Sequence, residues 1–300
     1  MHDARGEVVT VKNTGFKSEE YPFRSNFFDL DGLKMHYLDE GKGFPVLMLH
    51  GNPTWSFYYR NLVKVLRENF RCIAPDHIGC GLSDKPQDYN YTLDTHINNI
   101  LRLVSYLNIE KLNIVVHDWG GAIGMGLAVR RPDLINRVVI MNSAAFTDPF
   151  IPLRIAVCKI PVLGKFAVRR LNLFVQAARF MATTKRTGLT GEVLRGFLYP
   201  YGSFEERVAV YRFVKDIPMK PEHVSYSVLK GIEEKLKLLK DKEIIMIWGC
   251  KDFCFTTHFL ERWKDFFPKA EDLRLEQAGH YVLEDGKDEV IMKISEFFSK

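Results

Sequence analysis

The sequence has no uninterrupted apolar run of about eighteen residues, the length at which a segment becomes a candidate to cross a bilayer. Its opening stretch, residues 1–20, mixes acidic and basic side chains and contains no apolar core, so it does not indicate a secretory signal. We therefore expect a cytoplasmic protein.

Cysteine is scarce: the chain contains five, an odd number at no metal-like spacing. The histidines form no ligand grouping either. The glycine-rich stretches around Gly79 and Gly120 match neither a phosphate-binding loop nor a dinucleotide fingerprint. We expect reduced cysteines, no metal and no cofactor.

The charge is unevenly distributed. The formal net charge of +5 is too small to suggest nucleic acid as a partner. Residues 151–190, however, contain eight lysines and arginines and no aspartate or glutamate. The remainder of the chain is therefore slightly acidic, and the basic segment needs an explanation of its own.

Short apolar runs alternate with helical patterns, after a predicted hairpin at residues 23–40 that turns at Asp31-Gly32. The predicted later strands are residues 45–50, 70–75, 112–117, 137–141, 243–248 and 272–277. The predicted helices are residues 55–68, 93–107, 122–130, 256–267 and about 285–298. This order predicts an α/β fold with a mainly parallel eight-stranded sheet and helices on both faces.

The alternation breaks between residues 145 and 239, where apolar residues at helical spacing are interrupted by prolines. We predict a core domain of residues 1–144 and 240–300 and an inserted helical cap of residues 145–239. The cap is expected to cover the carboxyl edge of the sheet, where ligands bind in open α/β sheets.

Residues 113–121 form an apolar strand that ends at Asp118 and turns at once into a glycine-rich helix. Strand, sharp turn and helix describe a nucleophile elbow, so Asp118 is a candidate covalent nucleophile. Gly120 supplies the second glycine of the usual pattern, whereas Val116 replaces the first. The alternative is a buried acid that caps the helix.

A general base and a group that orients it are available after later strands. Asp252 follows the strand at residues 243–248, and His280 follows the last strand. Nucleophile, acid and histidine in this order are typical of α/β-hydrolases. A helix-capping acid and a structural histidine are the alternatives, but the ordered set favours Asp118, Asp252 and His280 as a catalytic triad.

Asn52 lies in the loop after the strand at residues 45–50, where hydrolases of this kind place an oxyanion donor. The backbone N–H groups of Asn52 and Trp119 are the candidate pair, and their side-chain N–H groups suit an anionic leaving group. The alternatives are a turn residue for Asn52 and simple packing for Trp119.

The sequence resembles the haloalkane dehalogenase group of the α/β-hydrolase superfamily at residues 50–54, 76–83, 117–120 and 279–280. The resemblance implies a triad of Asp118, Asp252 and His280, with Asn52 and Trp119 binding a released halide. One branch of the family places its triad acid after the sixth strand; residues 141–143 (MNS) contain no carboxylate, which leaves Asp252.

Four longer runs resemble the β-lactone decarboxylases of bacterial long-chain olefin biosynthesis: residues 51–61, 76–86, 212–221 and 280–285. This resemblance implies conversion of a cis-3,4-dialkyl-oxetan-2-one into a cis-alkene and carbon dioxide. Haloalkane dehalogenase is the main alternative. An epoxide hydrolase, which would use Tyr199, Tyr201 or Tyr211 as an acid, and a non-catalytic ligand receptor are less favoured.

Residues 151–181 are apolar with interspersed lysine and arginine, which resembles a basic amphipathic surface. Such a surface predicts a peripheral membrane contact or an acidic protein partner, and it suits a small hydrophobic substrate with long alkyl tails. Alternatively, the apolar face simply covers the active site. The sequence is compatible with an oligomer.

Overall fold

The computed structural model describes residues 16–184 and 189–300, which include one eight-stranded sheet. Residues 1–15, Lys185 and Arg186 lie outside the described residues. The strands are β1 (Asn26–Leu30), β2 (Leu33–Glu40), β3 (Phe44–Leu49), β4 (Phe70–Pro75), β5 (Leu112–Asp118), β6 (Ile135–Ser143), β7 (Glu243–Gly249) and β8 (Glu271–Leu275).

The strand order across the sheet is β1-β2-β4-β3-β5-β6-β7-β8. The β1–β2 and β2–β4 pairs are antiparallel, and all pairs from β4–β3 onward are parallel. Every residue of β5 is buried, including the apolar run at residues 114–116, because helices cover both faces of a parallel sheet. The predicted α/β fold is confirmed.

Twelve α-helices occur in the described residues. They are α1 (Arg60–Leu66), α2 (Leu93–Tyr106), α3 (Trp119–Arg130), α4 (Leu153–Cys158), α5 (Leu163–Lys165), α6 (Leu173–Met181), α7 (Gly191–Leu198), α8 (Val208–Asp216), α9 (Tyr226–Lys235), α10 (Thr257–Phe266), α11 (Val282–Asp285) and α12 (Lys287–Ser299). None of these helices has the length and apolar character to cross a membrane.

Three of the five predicted helices differ from the observed helices by more than one residue at an end or are divided. The helix predicted at residues 55–68 begins with a 3₁₀ turn, Ser56–Tyr59, before α1. Helix α3 begins at Trp119 rather than Ala122, because the chain turns into the helix directly after Asp118. The last predicted helix is divided at Gly286 into α11 and α12.

Between β6 and β7 the described residues contain helices and turns but no strand, as the insertion predicts. Helix α9 packs on α2 and α3, and its Leu229 and Ile232 belong to the hydrophobic core beneath the sheet. The closing part of the insertion therefore packs as a layer of the core. The division at residues 144/145 and 239/240 remains a prediction.

Close helix-to-strand packing positions the elbow. A Cβ atom on Gly120 would lie 1.9 Å from the carbonyl oxygen of Leu49 in β3. A Cβ on Gly124 would lie 2.5 Å from Cγ1 of Val116. Val116 can therefore stand where the usual elbow has glycine, because the facing position on α3 is itself a glycine.

We predict that Gly120→Ala lowers the free energy of unfolding by about 1–3 kcal/mol, since the added methyl group forces α3 away from β3. Gly231→Ala is the matched control: it lies in α9 with nothing within 4 Å of its would-be Cβ. It should raise stability by up to about 1 kcal/mol. Urea denaturation measures both, and equal stabilities of the two variants would contradict the packing account.

Candidate active site

Asp118 occupies a sharp turn between β5 and α3. Its backbone lies at φ 52° and ψ −125°, a region that residues other than glycine rarely adopt. The turn ends the strand and starts the helix within one residue. The structure therefore has the predicted elbow geometry, and a Cβ on Gly51 would lie only 2.0 Å from Oδ1 of Asp118.

The two other predicted triad residues lie beside Asp118. Nδ1 of His280 is 2.7 Å from Oδ2 of Asp252, and Nε2 of His280 is 3.6 Å from Oδ2 of Asp118. All three side chains are nearly inaccessible to solvent. The ends of β5, β7 and β8 thus bring together residues that are up to 162 positions apart, from Asp118 to His280.

The two predicted anion-binding residues are also at this site. The backbone N–H of Asn52 donates to Oδ1 of Asp118 at 2.6 Å, and the backbone N–H of Trp119 also donates to that carboxylate. The Asn52 amide nitrogen donates one hydrogen to the carbonyl of Val210 at 3.1 Å. Its second hydrogen has no acceptor among the described residues.

The charges of the site are coupled. Burial raises the pKa of Asp118, although the charge of His280 and the two backbone donors oppose the shift. Burial disfavours the protonated form of His280, but the charges of Asp252 and Asp118 outweigh burial and raise its pKa above 6.5. His280 therefore keeps its proton to a higher pH than free imidazole does.

Asn142, at the end of β6, is the residue that the sequence reasoning missed. Its amide nitrogen donates to Oδ2 of Asp252 at 2.9 Å, and its Oδ1 accepts the backbone N–H of Gly249 at 2.8 Å. The backbone N–H of Cys254 donates to the other oxygen of Asp252 at 2.7 Å. The sequence shows that residues 141–143 contain no carboxylate, but it does not show that Asn142 binds Asp252.

The other nearby histidines are structural. Nε2 of His117 lies 2.9 Å from the carbonyl oxygen of His280, and His50 accepts the backbone N–H of His77 at 3.1 Å. Burial lowers the pKa of His117 and of His50, so both are neutral at pH 7. Among residues 16–184 and 189–300, no cluster of three or more histidine, cysteine or acidic side chains could hold a metal ion.

Asp118 and His280 face a cavity of about 420 Å³, within the usual size range for small-molecule sites. Its walls are mainly aliphatic and aromatic side chains from the sheet edge and from the inserted helices. Tyr199, Tyr201 and Tyr211 are absent from the described lining. These three candidate acids of an epoxide hydrolase therefore do not reach the cavity, although Tyr281 lines it.

A strand-turn-helix elbow with an acid after β7 and a histidine after β8 describes an α/β-hydrolase site. The chain belongs to the alpha/beta hydrolase fold family, whose pattern it matches over residues 45–287. The predicted resemblance to α/β-hydrolases is therefore confirmed. The predicted resemblance to decarboxylases and haloalkane dehalogenases of this family is confirmed as well.

Two relatives are named cis-3-alkyl-4-alkyloxetan-2-one decarboxylase. The Shewanella oneidensis protein is 43% identical over 286 residues, covering 93% of this chain and 89% of that protein. The Xanthomonas campestris protein is 37% identical over 294 residues, covering 93% and 97%. The crystal structure of a putative ancestral haloalkane dehalogenase superimposes with a TM-score of 0.82 at 26% identity, covering 91% of this chain and 99% of that one.

We predict that Asn142→Ala lowers about tenfold to a hundredfold the kcat of a reaction in which His280 acts as a base, measured as halide release from a bromoalkane. A hydrogen bond to a charged group contributes about 1.5–3 kcal/mol, which corresponds to about tenfold to a hundredfold in rate. Without this bond, Asp252 no longer holds His280 in its position beside Asp118.

Asn136→Ala is the control, because Asn136 lies near the amino end of the same strand and donates to Asn113 at 2.9 Å. It should leave kcat unchanged. An equal loss of kcat in both variants would show that Asn142 only stabilises the sheet.

Proposed function

We propose that the protein is an aspartate-nucleophile enzyme that converts cis-β-lactones with long alkyl chains into cis-alkenes and carbon dioxide. The observation that carries this proposal is the position of the Asp118 carboxylate in a large, mainly apolar cavity. An apolar cavity fits two alkyl chains, and a carboxylate can open a strained ring. The names of the two decarboxylase relatives support the same substrate class.

In the first step, Asp118 attacks C4, the ring carbon that bears oxygen and an alkyl chain. Oδ1 is held by the backbone N–H of Asn52, whereas Oδ2 is 3.6 Å from His280 and serves as the attacking atom. The C4–O bond breaks, and the ring oxygen leaves as part of a carboxylate on C3. The free side-chain N–H groups of Asn52 and Trp119 are the donors for that carboxylate.

In the second step, the bond between C3 and the carboxylate carbon breaks and releases carbon dioxide. Its electron pair forms the C3=C4 double bond, and the bond from C4 to Asp118 breaks to return the free carboxylate. No water is consumed. Inversion at C4 followed by anti elimination places both alkyl chains on the same side, so a cis-lactone gives a cis-alkene.

Attack on the lactone carbonyl, which would form a mixed anhydride, has a different outcome. The released C4 oxygen would have to attack the Asp118 carboxyl group before C4–O cleavage, and the ring oxygen would remain on the enzyme. Configuration at C4 would be retained, so anti elimination would give a trans-alkene. The alkyl-ester route is therefore the one that fits a cis product.

We predict that a lactone labelled with ¹⁸O at the ring oxygen delivers the label to carbon dioxide, detected by mass spectrometry of the gas. Label in the peptide that contains Asp118 would contradict the alkyl-ester route. In the same assay Asp118→Asn should lower alkene formation about a thousandfold or more, because the nucleophile is lost.

Asp148→Asn provides the matched control for Asp118→Asn. Asp148 also lines the cavity, but its carboxylate accepts hydrogen bonds from Arg262 at 2.7 Å and from His258 at 2.9 Å. Its replacement should leave alkene formation within a few-fold of wild type. Unchanged activity in Asp118→Asn would overturn the proposed function.

Hydrolytic dehalogenation is the second candidate, and the placement of His280 favours it. Nε2 of His280 faces Asp118 at 3.6 Å and could activate a water that hydrolyses an alkyl ester on Asp118. The Asn52 and Trp119 donors would hold a halide instead of a carboxylate. The two reactions thus share attack by Asp118 and differ in how the ester is broken.

We predict different pH dependences for the two reactions. A base must be neutral, so halide release from a bromoalkane should fall as the pH drops through the raised pKa of His280, above 6.5. Alkene formation from a lactone needs no base and should keep its rate through the same range, measured by initial rates. The same acidic limb for both products would show that His280 acts as a base in both.

The variant His280→Asn also distinguishes the two reactions, because only ester hydrolysis needs His280 as a base. With a bromoalkane it should accumulate an alkyl ester on Asp118, detected by intact-protein mass spectrometry, because the ester cannot be hydrolysed. With a lactone no ester should accumulate, because elimination releases the enzyme. A stable lactone adduct on this variant would contradict the elimination step.

A further inference from the structure

Exposed apolar side chains are concentrated on one part of the insertion. Of sixteen large hydrophobic residues exposed in the described chain, ten lie between Phe150 and Phe180. We call residues 150–180 the apolar collar. Its most exposed members are Val162, Leu153 and Phe180, at 82%, 78% and 63% exposure. Single exposed apolar residues are ordinary on a protein surface, but a concentration of this kind marks an interaction site.

The collar is also basic. Its described residues contain no aspartate or glutamate, and Arg154, Lys165 and Arg170 are exposed on it. None of these three side chains is in an ion pair with another described residue. The surface therefore offers free positive charge beside apolar side chains.

Two other basic residues of the collar are turned inward and hold it in place. Nζ of Lys159 donates to the carbonyl oxygens of Val214, Lys215 and Ile217 at the end of α8, at 3.1, 3.0 and 2.7 Å. Arg169 donates to the carbonyl of Phe204 at 3.2 Å. The inward cations satisfy backbone carbonyls, whereas the outward ones have no such partner in the described chain.

The collar borders the opening of the cavity. Phe150, Val157 and Leu173 line the cavity, yet they are 46%, 42% and 53% exposed. Arg154 also lines the cavity and is exposed. A ligand that enters between these side chains passes directly from the collar surface to the space in front of Asp118.

We propose that the collar docks on the surface of a bilayer that contains anionic lipid, and that the alkyl chains of the substrate pass from the bilayer into the cavity. This proposal rests on the proposed function for the substrate and on the collar itself for the docking. Leucine, valine and phenylalanine enter the acyl boundary, while Lys165 and Arg170 meet lipid phosphates. The protein would contact the membrane surface without spanning the bilayer.

The composition favours a lipid surface over an acidic protein. Binding hot spots of protein interfaces are rich in tryptophan, tyrosine and arginine and poor in leucine and valine. The collar contains arginine but no tryptophan or tyrosine, and it has many aliphatic residues. A protein seated on the collar would also cover the opening that the substrate needs. A lipid surface leaves that route continuous for an alkyl chain.

The test is cosedimentation of the full chain with vesicles of phosphatidylcholine alone or mixed with phosphatidylglycerol. Wild type should bind the anionic vesicles at least tenfold more tightly than the neutral ones, and added salt should weaken binding. Leu153→Glu with Val162→Glu should lose at least tenfold in vesicle affinity. Lys165→Glu with Arg170→Glu should lose the preference for phosphatidylglycerol.

Met292→Glu is the matched control, because Met292 is 57% exposed on α12, outside the collar. It should bind vesicles as wild type does. Absence of wild-type binding, or equal binding by the collar variants, would overturn the proposal. A wild-type dimer that becomes monomeric in Leu153→Glu with Val162→Glu, without vesicle binding, would assign the collar to a second copy instead.

A vesicle-free assay with a short-chain, water-soluble lactone separates this proposal from the proposed function. Leu153 and Val162 do not line the cavity, so their double variant should keep wild-type alkene formation in that assay. With a long-chain lactone supplied in anionic vesicles, the same variant should be at least tenfold slower. Vesicle binding without alkene formation would refute the proposed function and leave the docking intact.

Discussion

The site depends on keeping one carboxylate charged inside an apolar cavity. Moving an ion from water into a protein interior costs on the order of several kcal/mol, even after the protein relaxes around it. For Asp118 the backbone N–H groups of Asn52 and Trp119 and the charge of His280 offset part of this cost, although the pKa of Asp118 stays raised. Those donors reach the carboxylate only because the backbone at Asp118 turns sharply and because Gly51 and Gly120 leave room for close approach.

The proposed chemistry follows from what such a buried carboxylate meets. A β-lactone carries its own leaving group and its own source of electrons, so the ester formed on Asp118 can be broken without water. A haloalkane has no such group, and its ester requires His280 as a base. One arrangement of residues thus fits two reactions, and the substrate decides which bond breaks. Two relatives named as decarboxylases and a structure named as a dehalogenase resemble this chain, as shared attack by Asp118 would allow.

The inserted helices connect this chemistry to the protein surface. Their inward side chains form much of the cavity wall, and their outward side chains form the apolar collar. Lys159 ties the collar to α8 through three backbone carbonyls, so the wall and the outer surface belong to one packed unit. We propose that the amphipathic pattern of residues 151–181 serves both roles: its inward face covers the active site and its outward face contacts a membrane surface.

Much of the sheet and the predicted site could be deduced from the sequence, because the spacing of apolar residues and the glycines and prolines that bound each run are local signals. Apolar runs bounded by glycine and proline marked the strands, and Asp118, Asp252 and His280 followed strand ends that a parallel sheet brings to one edge. The role of Asn142 could not be deduced, since an asparagine after a strand has no signal until Asp252 is seen 2.9 Å away. Likewise, the sequence shows that Val116 departs from the usual elbow pattern, but only the structure shows that Gly124 packs against Val116 and makes room for it. The order and type of the core elements, and the place of Asp118, Asp252 and His280 near strand ends, follow from local patterns in the sequence. Which side chains touch, and where the cavity opens, are visible only in the folded chain, because contacts between distant segments depend on packing that no local pattern encodes.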